Sequence, residues 1–173
     1  MSEDSLQVFV AAARKTWAPL NSEVVHGMRL HLERLLAASP SESWLAAFHA
    51  AAPESRELYR DATHEFLLVA HTEQPGLYRP PHDHGRGWVL YGVQRGEMEM
   101  ATYRRVHDLR GEAHLVRRET FTLRAGDVRV FLPQDIHDTR CVVGPLTLLR
   151  FTSRDFKKEE LTRYPAPRAM ARP

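Results

Sequence analysis

The spacing of apolar residues divides this chain into a helical first part and a strand-rich second part. Apolar residues recur every three or four positions up to residue 51, which predicts amphipathic helices over residues 5–17, 22–38 and 41–51. Pro19 and Pro40 follow the first two of these segments and end them. We expect the three helices to cover the edge or the outside of a sheet.

From Pro53 onward the pattern changes to short apolar runs separated by Gly, Pro and Asp. Many short strands with turn residues at regular spacing are typical of a sandwich or a barrel. The fold class that this pattern predicts is mainly β, with an N-terminal helical segment. The runs indicate about eight strands, over residues 65–71, 88–94, 97–105, 114–118, 119–123, 127–132, 139–143 and 146–152.

The domain organisation that follows is a single domain in three segments. Residues 1–52 are expected to form helices packed on the barrel, and residues 53–160 to form the barrel itself. Residues 161–173 are expected to be a flexible tail, because the chain from Tyr164 onward is rich in Pro, Ala and Arg. A chain of 173 residues is long enough to bury a sizeable core.

Composition and charge exclude several classes of protein. The 43% apolar and 27% charged residues are ordinary for a soluble globular domain, and no apolar run is long enough for a membrane helix. A formal charge of +2 is too small to indicate nucleic-acid binding. Cys141 is the single cysteine, which excludes an internal disulfide and suits a reducing compartment. With no signal-peptide pattern at the N-terminus, we expect a cytoplasmic protein that binds neither nucleic acid nor membrane.

Two histidines separated by one residue supply the candidate chemistry. His82 and His84 follow a Pro-Pro pair and precede a hydrophobic run. Residues i and i+2 of an extended segment point to the same face, so both imidazoles can be directed at one point, as metal ligands must be. A third candidate ligand, His137, lies far downstream and eleven positions after Gly126.

These residues and spacings resemble the two motifs of the cupin superfamily. The first cupin motif is a Gly, five residues and the His-x-His pair, followed by a Glu and a later Gly; Gly76 and Gly96 match its glycines. The second motif has a Gly followed eleven positions later by a His. The resemblance implies a cupin double-stranded β-helix, which is a jelly-roll barrel. It also implies His82, His84 and His137 as metal ligands.

The sequence departs from the cupin pattern at the position of the glutamate ligand, where Val89 stands. A cupin with three histidines and no such glutamate resembles the cysteine dioxygenase (thiol dioxygenase) family. The segment that ends at Arg60 also resembles the substrate-binding arginine segment of that family. The family's Ser-His-Tyr relay is absent, however, because its positions are occupied by Arg150, Thr152 and Arg154.

The metal that the resemblance implies is Fe(II). Imidazole suits Fe(II), but it also suits Zn, Ni and Cu, so the ligand set alone leaves all four open. Three neutral nitrogens on one face of a metal leave the opposite face for water, O₂ and substrate. The expected partners are therefore a small-molecule substrate and O₂. The protein itself is expected to be a monomer or a homodimer.

Strand parity predicts which side chains line the pocket. If Val89 faces inward, Tyr91 does so as well, and Arg150 is expected to point into the same pocket. An inward guanidinium beside a metal with neutral ligands would bind a substrate carboxylate through two parallel hydrogen bonds. We therefore predict Arg150 and Arg60 as substrate-binding residues, and Arg150 and Tyr91 as catalytic residues.

Three functions are compatible with this site. The first is an Fe(II)-dependent cupin dioxygenase, similar to the thiol dioxygenases, that oxidises a small anionic substrate with O₂; a thiol in that substrate follows only from the resemblance. The second is a metal-dependent cupin that does not use O₂, such as an isomerase, a lyase or a decarboxylase. The third is a cupin that binds a small ligand without catalysis.

Overall fold

A computed structural model describes residues 4–165 of the chain. Three helices come first, followed by seven strands and one turn of 3-10 helix at Phe156–Lys158. The helices are α1 (Ser5–Thr16), α2 (Ser22–Leu36) and α3 (Ser43–Ala51). The strands are β1 (Ser55–Arg60), β2 (Leu67–Glu73), β3 (Tyr78–His82), β4 (Val89–His107), β5 (Ala113–Arg124), β6 (Val128–Phe131) and β7 (Ile136–Thr152).

The helices form where the apolar spacing predicts them, with ends that differ by a few residues. The carboxylate of Asp4 accepts a hydrogen bond from the Gln7 amide and begins α1. The side chain of Asn21 accepts one from the Val24 amide and begins α2. Each side chain satisfies an amide that would otherwise lack a partner in the first helical turn.

Three strands are longer than the sequence pattern predicts. The expected strands over residues 88–94 and 97–105 are one strand, β4, those over residues 114–118 and 119–123 are one strand, β5, and those over residues 139–143 and 146–152 are one strand, β7. Each expected pair was wrong because the ladder continues through the predicted break. Strands β4 and β7 pair along both halves, with register shifts between residues 93 and 98 of β4, and β5 pairs with β4 along its length with one register shift. The strands β1 and β3 were not among the expected strands.

The bends of β4 and β7 divide the strands between two layers. In one layer β1, β2, the C-terminal half of β7, the N-terminal half of β4 and β6 lie side by side. In the other, β3, the N-terminal half of β7, the C-terminal half of β4 and β5 are paired. All pairings between these strands are antiparallel, and the predicted mainly β jelly-roll class with its N-terminal helical segment is confirmed.

The space between the two layers holds an apolar core and, at one end, a cavity. Core residues come from the inward positions of both bent strands, for example Val89 and Val93 of β4, and Met98 and Met100 beyond its bend. Leu148 of β7 packs with them. Alternate residues of each strand point to opposite faces, so the intervening positions face outward.

The helices cover the outer face of the first layer, as expected. Met28 and Leu32 of α2 are fully buried with the outward residues Leu90 and Leu149. Gly92 permits this approach, since a Cβ at its position would lie 3.0 Å from a methyl carbon of Leu36 and 3.2 Å from one of Leu32. No helix of residues 4–165 combines the length and the apolar character needed to cross a membrane.

Candidate metal centre

Three histidines meet inside the barrel although they come from distant parts of the chain. His82 ends β3 and lies opposite His137 of β7 in the antiparallel pairing of the two strands. His84 follows two residues later. One ring nitrogen of each of the three residues lies within 4.8 Å of the others. His137 is fully buried, His84 is 4% exposed, and His82 is half-buried.

Burial keeps the three imidazoles neutral. It lowers the pKa of His84 to about 3, with further contributions from the neighbouring His82 and from the positive charge of Arg150. The pKa of His137 is lowered well below its usual value, mainly by burial, and that of His82 is lowered for the same reason. Neutral imidazoles carry the lone pairs that a metal ion requires.

The donor atoms of the cluster fit a metal ion. His82 Nδ1 lies 2.9 Å from the Pro80 carbonyl oxygen, to which it donates in the tautomer that leaves Nε2 as the ligand atom. The Nε2 atoms of His84 and His137 lie 3.2 Å and 3.4 Å from the same hydroxyl, that of Tyr91. The three nitrogens therefore converge, and they suit Fe, Zn, Ni or Cu.

Tyr91 brings a hydroxyl group to the histidine cluster. It lies on β4, is 4% exposed, and points inward as strand parity predicts. Burial raises the pKa of the phenol, and the nearby guanidinium of Arg150 opposes this rise. The Tyr91 hydroxyl is therefore a proton-bearing group within hydrogen-bond distance of two candidate metal ligands.

Arg150 lies beside Tyr91 in the cavity. The two residues are partners in the pairing of β4 with β7, and both line the cavity. Among residues 4–165, no carboxylate forms a salt bridge with Arg150, and its Nε atom is buried without a hydrogen-bond partner. An uncompensated guanidinium in such a place attracts an anion.

Arg60, the other predicted substrate-binding residue, lies at the rim of the same cavity. Its guanidinium is already paired, with hydrogen bonds of 3.0 Å and 2.7 Å to the Glu57 carboxylate and of 2.9 Å to Asp155. Its side chain is 40% exposed. The structure thus places Arg60 among carboxylates near the mouth, whereas Arg150 lies deeper and carries no such partner among the described residues.

A polar wall that sequence reasoning did not assign to the site lies next to Arg150. Glu73 is buried, and its Oε1 accepts hydrogen bonds of 3.2 Å and 3.1 Å from Arg79. His71 is 8% exposed, and its Nε2 has no partner. Burial and the charges of Arg150 and Arg79 lower the pKa of His71 to about 3. The alternation of β2 is the signal that places His71 and Glu73 on one face.

Asp83, between His82 and His84, points away from them and contacts a later part of the chain. Its carboxylate accepts hydrogen bonds from the Gly85 amide at 2.9 Å, the Thr162 amide at 3.4 Å and the Tyr164 hydroxyl at 2.8 Å. The predicted flexible tail, residues 161–173, therefore begins in a contact with the turn that carries His82 and His84. Residues 166–173 of that prediction lie outside the described residues.

The cavity that contains these groups has a volume of about 680 Å³. This lies within the range of about 300–1,000 Å³ that is usual for small-molecule sites. Phe156, which follows β7, stacks on His84 with ring centroids 4.5 Å apart. Leu161 lies at the mouth with 37% of its surface exposed. No sequence signal places these two residues in the site, because they reach it only through the long-range reversal of the chain after β7.

No family model matches the chain, and no curated protein is similar to it in sequence. The fold is similar to that of several solved structures. One is the Cnp3 cupin domain of Schizosaccharomyces pombe, with 11% identity over 57% of each chain and a TM-score of 0.44. Another is KdgF from a Halomonas species, with 20% identity over 61% of this chain and 83% of that chain and a TM-score of 0.43.

A third similar structure is the oxalate decarboxylase of Lactobacillus farciminis in a formate complex, with 21% identity and a TM-score of 0.46. The match covers 63% of this chain and 30% of that chain. The chain thus spans little more than half of the Cnp3 domain and less than a third of the decarboxylase. Similarity at this level concerns the fold, so activity and substrate must be argued from the residues of the site.

Proposed function

We propose that this protein is an Fe(II)-dependent dioxygenase of the cupin type, which oxidises a small anionic substrate with O₂. The observation that carries the proposal is the convergence of three neutral imidazoles within 4.8 Å beside a guanidinium that has no carboxylate partner among the described residues. His82, His84 and His137 would hold the metal. When bound, that ion supplies the redox and Lewis-acid chemistry of the reaction.

The protein's own groups bind and orient the substrate. The guanidinium of Arg150 binds the substrate carboxylate, and a planar fork of donors suits a carboxylate better than a point charge does. The Tyr91 hydroxyl donates a hydrogen bond at the same end of the cavity. The barrel and the residues after β7 surround the site, which strengthens electrostatic interactions with the substrate by limiting its contact with water.

The resemblance to thiol dioxygenases supports the use of O₂, and the three-histidine ligand set is its basis. A thiol in the substrate has weaker support, because Arg150, Thr152 and Arg154 stand where that family has its Ser-His-Tyr relay. Arg154 donates to Glu159 at 2.8 Å, so it is engaged in a salt bridge outside the histidine cluster. We therefore assign the substrate as an anion and leave its reacting group open.

Metal analysis of the purified protein, together with O₂ uptake, tests the proposal. We expect near-stoichiometric iron in the wild type and its loss in His82→Ala and His137→Ala. His26→Ala, which changes an exposed histidine of α2, is the matched control and should retain iron. O₂ consumption is then measured with a panel of small carboxylates with and without thiols, in wild type and Arg150→Gln.

The second candidate is a metal-dependent cupin that does not consume O₂, and the missing relay favours it. Zinc or nickel at similar occupancy, with conversion of a carboxylate but no O₂ uptake, would support this candidate over the dioxygenase. A protein that takes up no metal after reconstitution would contradict both. The histidine cluster would then be a remnant of the fold, and the protein a ligand-binding module.

A further inference from the structure

The inner face of β2 carries two apolar side chains that are buried outside the hydrophobic core. Leu67 is 4% and Val69 is 8% exposed, yet neither belongs to the clusters of packed core residues. Their neighbours Phe66, Leu68 and Ala70 face outward and pack in the core beneath the helices. Leu67 and Val69 instead line the cavity.

These two side chains lie next to Arg150. In the pairing of β2 with β7, Val69 is the direct partner of Arg150, and Leu67 is the partner of Thr152, two residues further along. Directly opposed residues on one face of an antiparallel pair have Cβ atoms about 4.5–5.5 Å apart, and diagonal neighbours are about 7–8 Å apart. The proposed carboxylate anchor therefore has apolar surface on its β2 side.

The segment after β7 adds apolar surface from the other side of the cavity. Phe156 stacks on His84 and lines the cavity, as does the partly exposed Leu161. Leu161 is held near the histidines because the neighbouring Thr162 amide hydrogen-bonds to Asp83. An exposed leucine at the mouth of a cavity gains when a ligand removes it from water.

We infer that the site has an apolar subsite, formed by Leu67, Val69, Phe156 and Leu161 beside Arg150, which binds the hydrocarbon part of a carboxylate substrate. The inference rests on the proposed function in one respect, the anchoring of the carboxylate by Arg150. The substrate class is then an amphipathic carboxylate, such as a medium-chain or aryl-substituted acid. A cavity of about 680 Å³ has room for such a molecule.

The test is calorimetric binding of unbranched carboxylates to the zinc-loaded protein, because zinc is redox-inert and cannot support oxidation of the ligand by O₂. Propanoate, pentanoate and heptanoate share one charged group and differ only in chain length. We expect the dissociation constant to fall about threefold to fourfold for each added methylene, the usual gain for burying one. 3-Phenylpropanoate should bind more tightly than propanoate by at least tenfold.

Variants separate the subsite from the anchor. Val69→Phe, which fills the subsite, should abolish the gain with chain length while propanoate still binds. Leu161→Ala changes a residue outside the barrel core and should reduce that gain. Its result can be interpreted even if Val69→Phe misfolds. Leu20→Ala removes a leucine that is 46% exposed outside the cavity, and it should change nothing. Arg150→Gln should weaken the binding of every carboxylate by a similar factor and preserve the dependence of affinity on chain length.

Each alternative result has a distinct meaning. If propanoate binds but longer chains bind no better, the apolar subsite is contradicted and the carboxylate anchor stands. If affinity rises with chain length equally in wild type, Val69→Phe and Leu161→Ala, the hydrocarbon binds elsewhere and the inference is wrong. If no carboxylate of any length binds the zinc-loaded protein, binding of the carboxylate by Arg150 is contradicted, and so is the inference that rests on it.

Discussion

The Tyr91 hydroxyl lies within hydrogen-bond distance of two of the three candidate metal ligands, at 3.2 Å from His84 Nε2 and 3.4 Å from His137 Nε2. We predict that Tyr91→Phe retains full metal content but lowers turnover about 10-fold to 100-fold. This is the effect of losing the hydrogen bond that the hydroxyl donates to the anionic substrate, since a hydrogen bond to a charged group is worth about 1.5–3 kcal/mol. Metal analysis and O₂ uptake, normalised to folded protein, measure the two quantities.

Tyr103→Phe provides the control for the loss of a buried hydroxyl in the same barrel. The Tyr103 hydroxyl donates to Asp138 at 2.6 Å rather than to a histidine. This variant is expected to lose stability and to keep the turnover of its folded fraction. If Tyr91→Phe loses metal, the phenol belongs to the ligand set and its assigned role in turnover is wrong.

At the scale of single residues, the alternation of side chains along a strand was the main basis for predicting which of them face the site. The alternation of β4 places Tyr91 inward, and the His-x-His spacing brings His82 and His84 together, so local geometry was sufficient for these residues. Arg60 shows where such reasoning ends. Its guanidinium contacts Asp155, which lies 95 residues away in sequence, and no periodicity reports a contact of that range.

Among the elements, the bend of β4 depends on Gly96. Its φ of +86° is strained for any residue with a side chain, and a Cβ there would lie 2.4 Å from the Val143 carbonyl oxygen of β7. We predict that Gly96→Ala lowers the free energy of unfolding by about 2–5 kcal/mol, since backbone strain costs about 1–2 kcal/mol and overpacking against β7 about 1–3 kcal/mol. Denaturant unfolding followed by circular dichroism measures the change.

Gly111→Ala is a close control, because Gly111 also has a positive φ of +80° but a Cβ there would meet nothing within 4 Å. In this variant the free energy of unfolding should fall only by the cost of backbone strain, about 1–2 kcal/mol. Equal losses in the two variants would mean that the approach of β4 to β7 at Gly96 does not limit stability.

A second element-scale prediction concerns the segment that Asp83 holds near the histidines. Tyr164→Phe removes the 2.8 Å hydrogen bond to the Asp83 carboxylate, and we expect residues 161–164 to exchange amide hydrogens about tenfold faster or more. Tyr59→Phe removes a similar hydrogen bond to another aspartate, Asp61. Exchange in residues 161–164 should not change in that variant, and unchanged exchange in Tyr164→Phe would contradict the role of the contact.

The sequence pattern located the strands of the barrel better than it located their ends. Turn residues at positions 95–96 and 144–145 predicted breaks, and the structure has bends there instead, because both strands keep their ladder partners on either side. Glycine and proline report a change of chain direction. Whether the ladder continues past that change depends on the partner strand, which a local pattern does not contain.

On the scale of the whole molecule, the barrel buries four histidines that remain neutral. Between the two layers and their covering helices, burial lowers the pKa of His82, His84, His137 and His71. Burial of this kind follows from the way the two layers of strands enclose the histidines, so it could not be deduced from any one segment. It makes the stability of the metal-free protein depend on pH.

The dependence has a definite sign. The folded pKa of His71 is about 3, below the ordinary value of 6.5, so between these two values the unfolded chain binds a proton that the folded protein does not. Stability is therefore undiminished above pH 6.5 and falls as the pH decreases toward 3. The slope is about 1.4 kcal/mol per pH unit for one such histidine.

We predict that lowering the pH from 6 to 4.5 destabilises the metal-free wild type about 2 kcal/mol more than it destabilises His71→Phe. Both proteins keep the other three buried histidines, so the difference isolates His71. His26→Gln, at an exposed position of α2, should follow the wild type. Denaturant midpoints at the two pH values give the comparison. Parallel losses in wild type and His71→Phe would show that His71 accepts a proton in the folded state, and that the wall beside Arg150 is open to water.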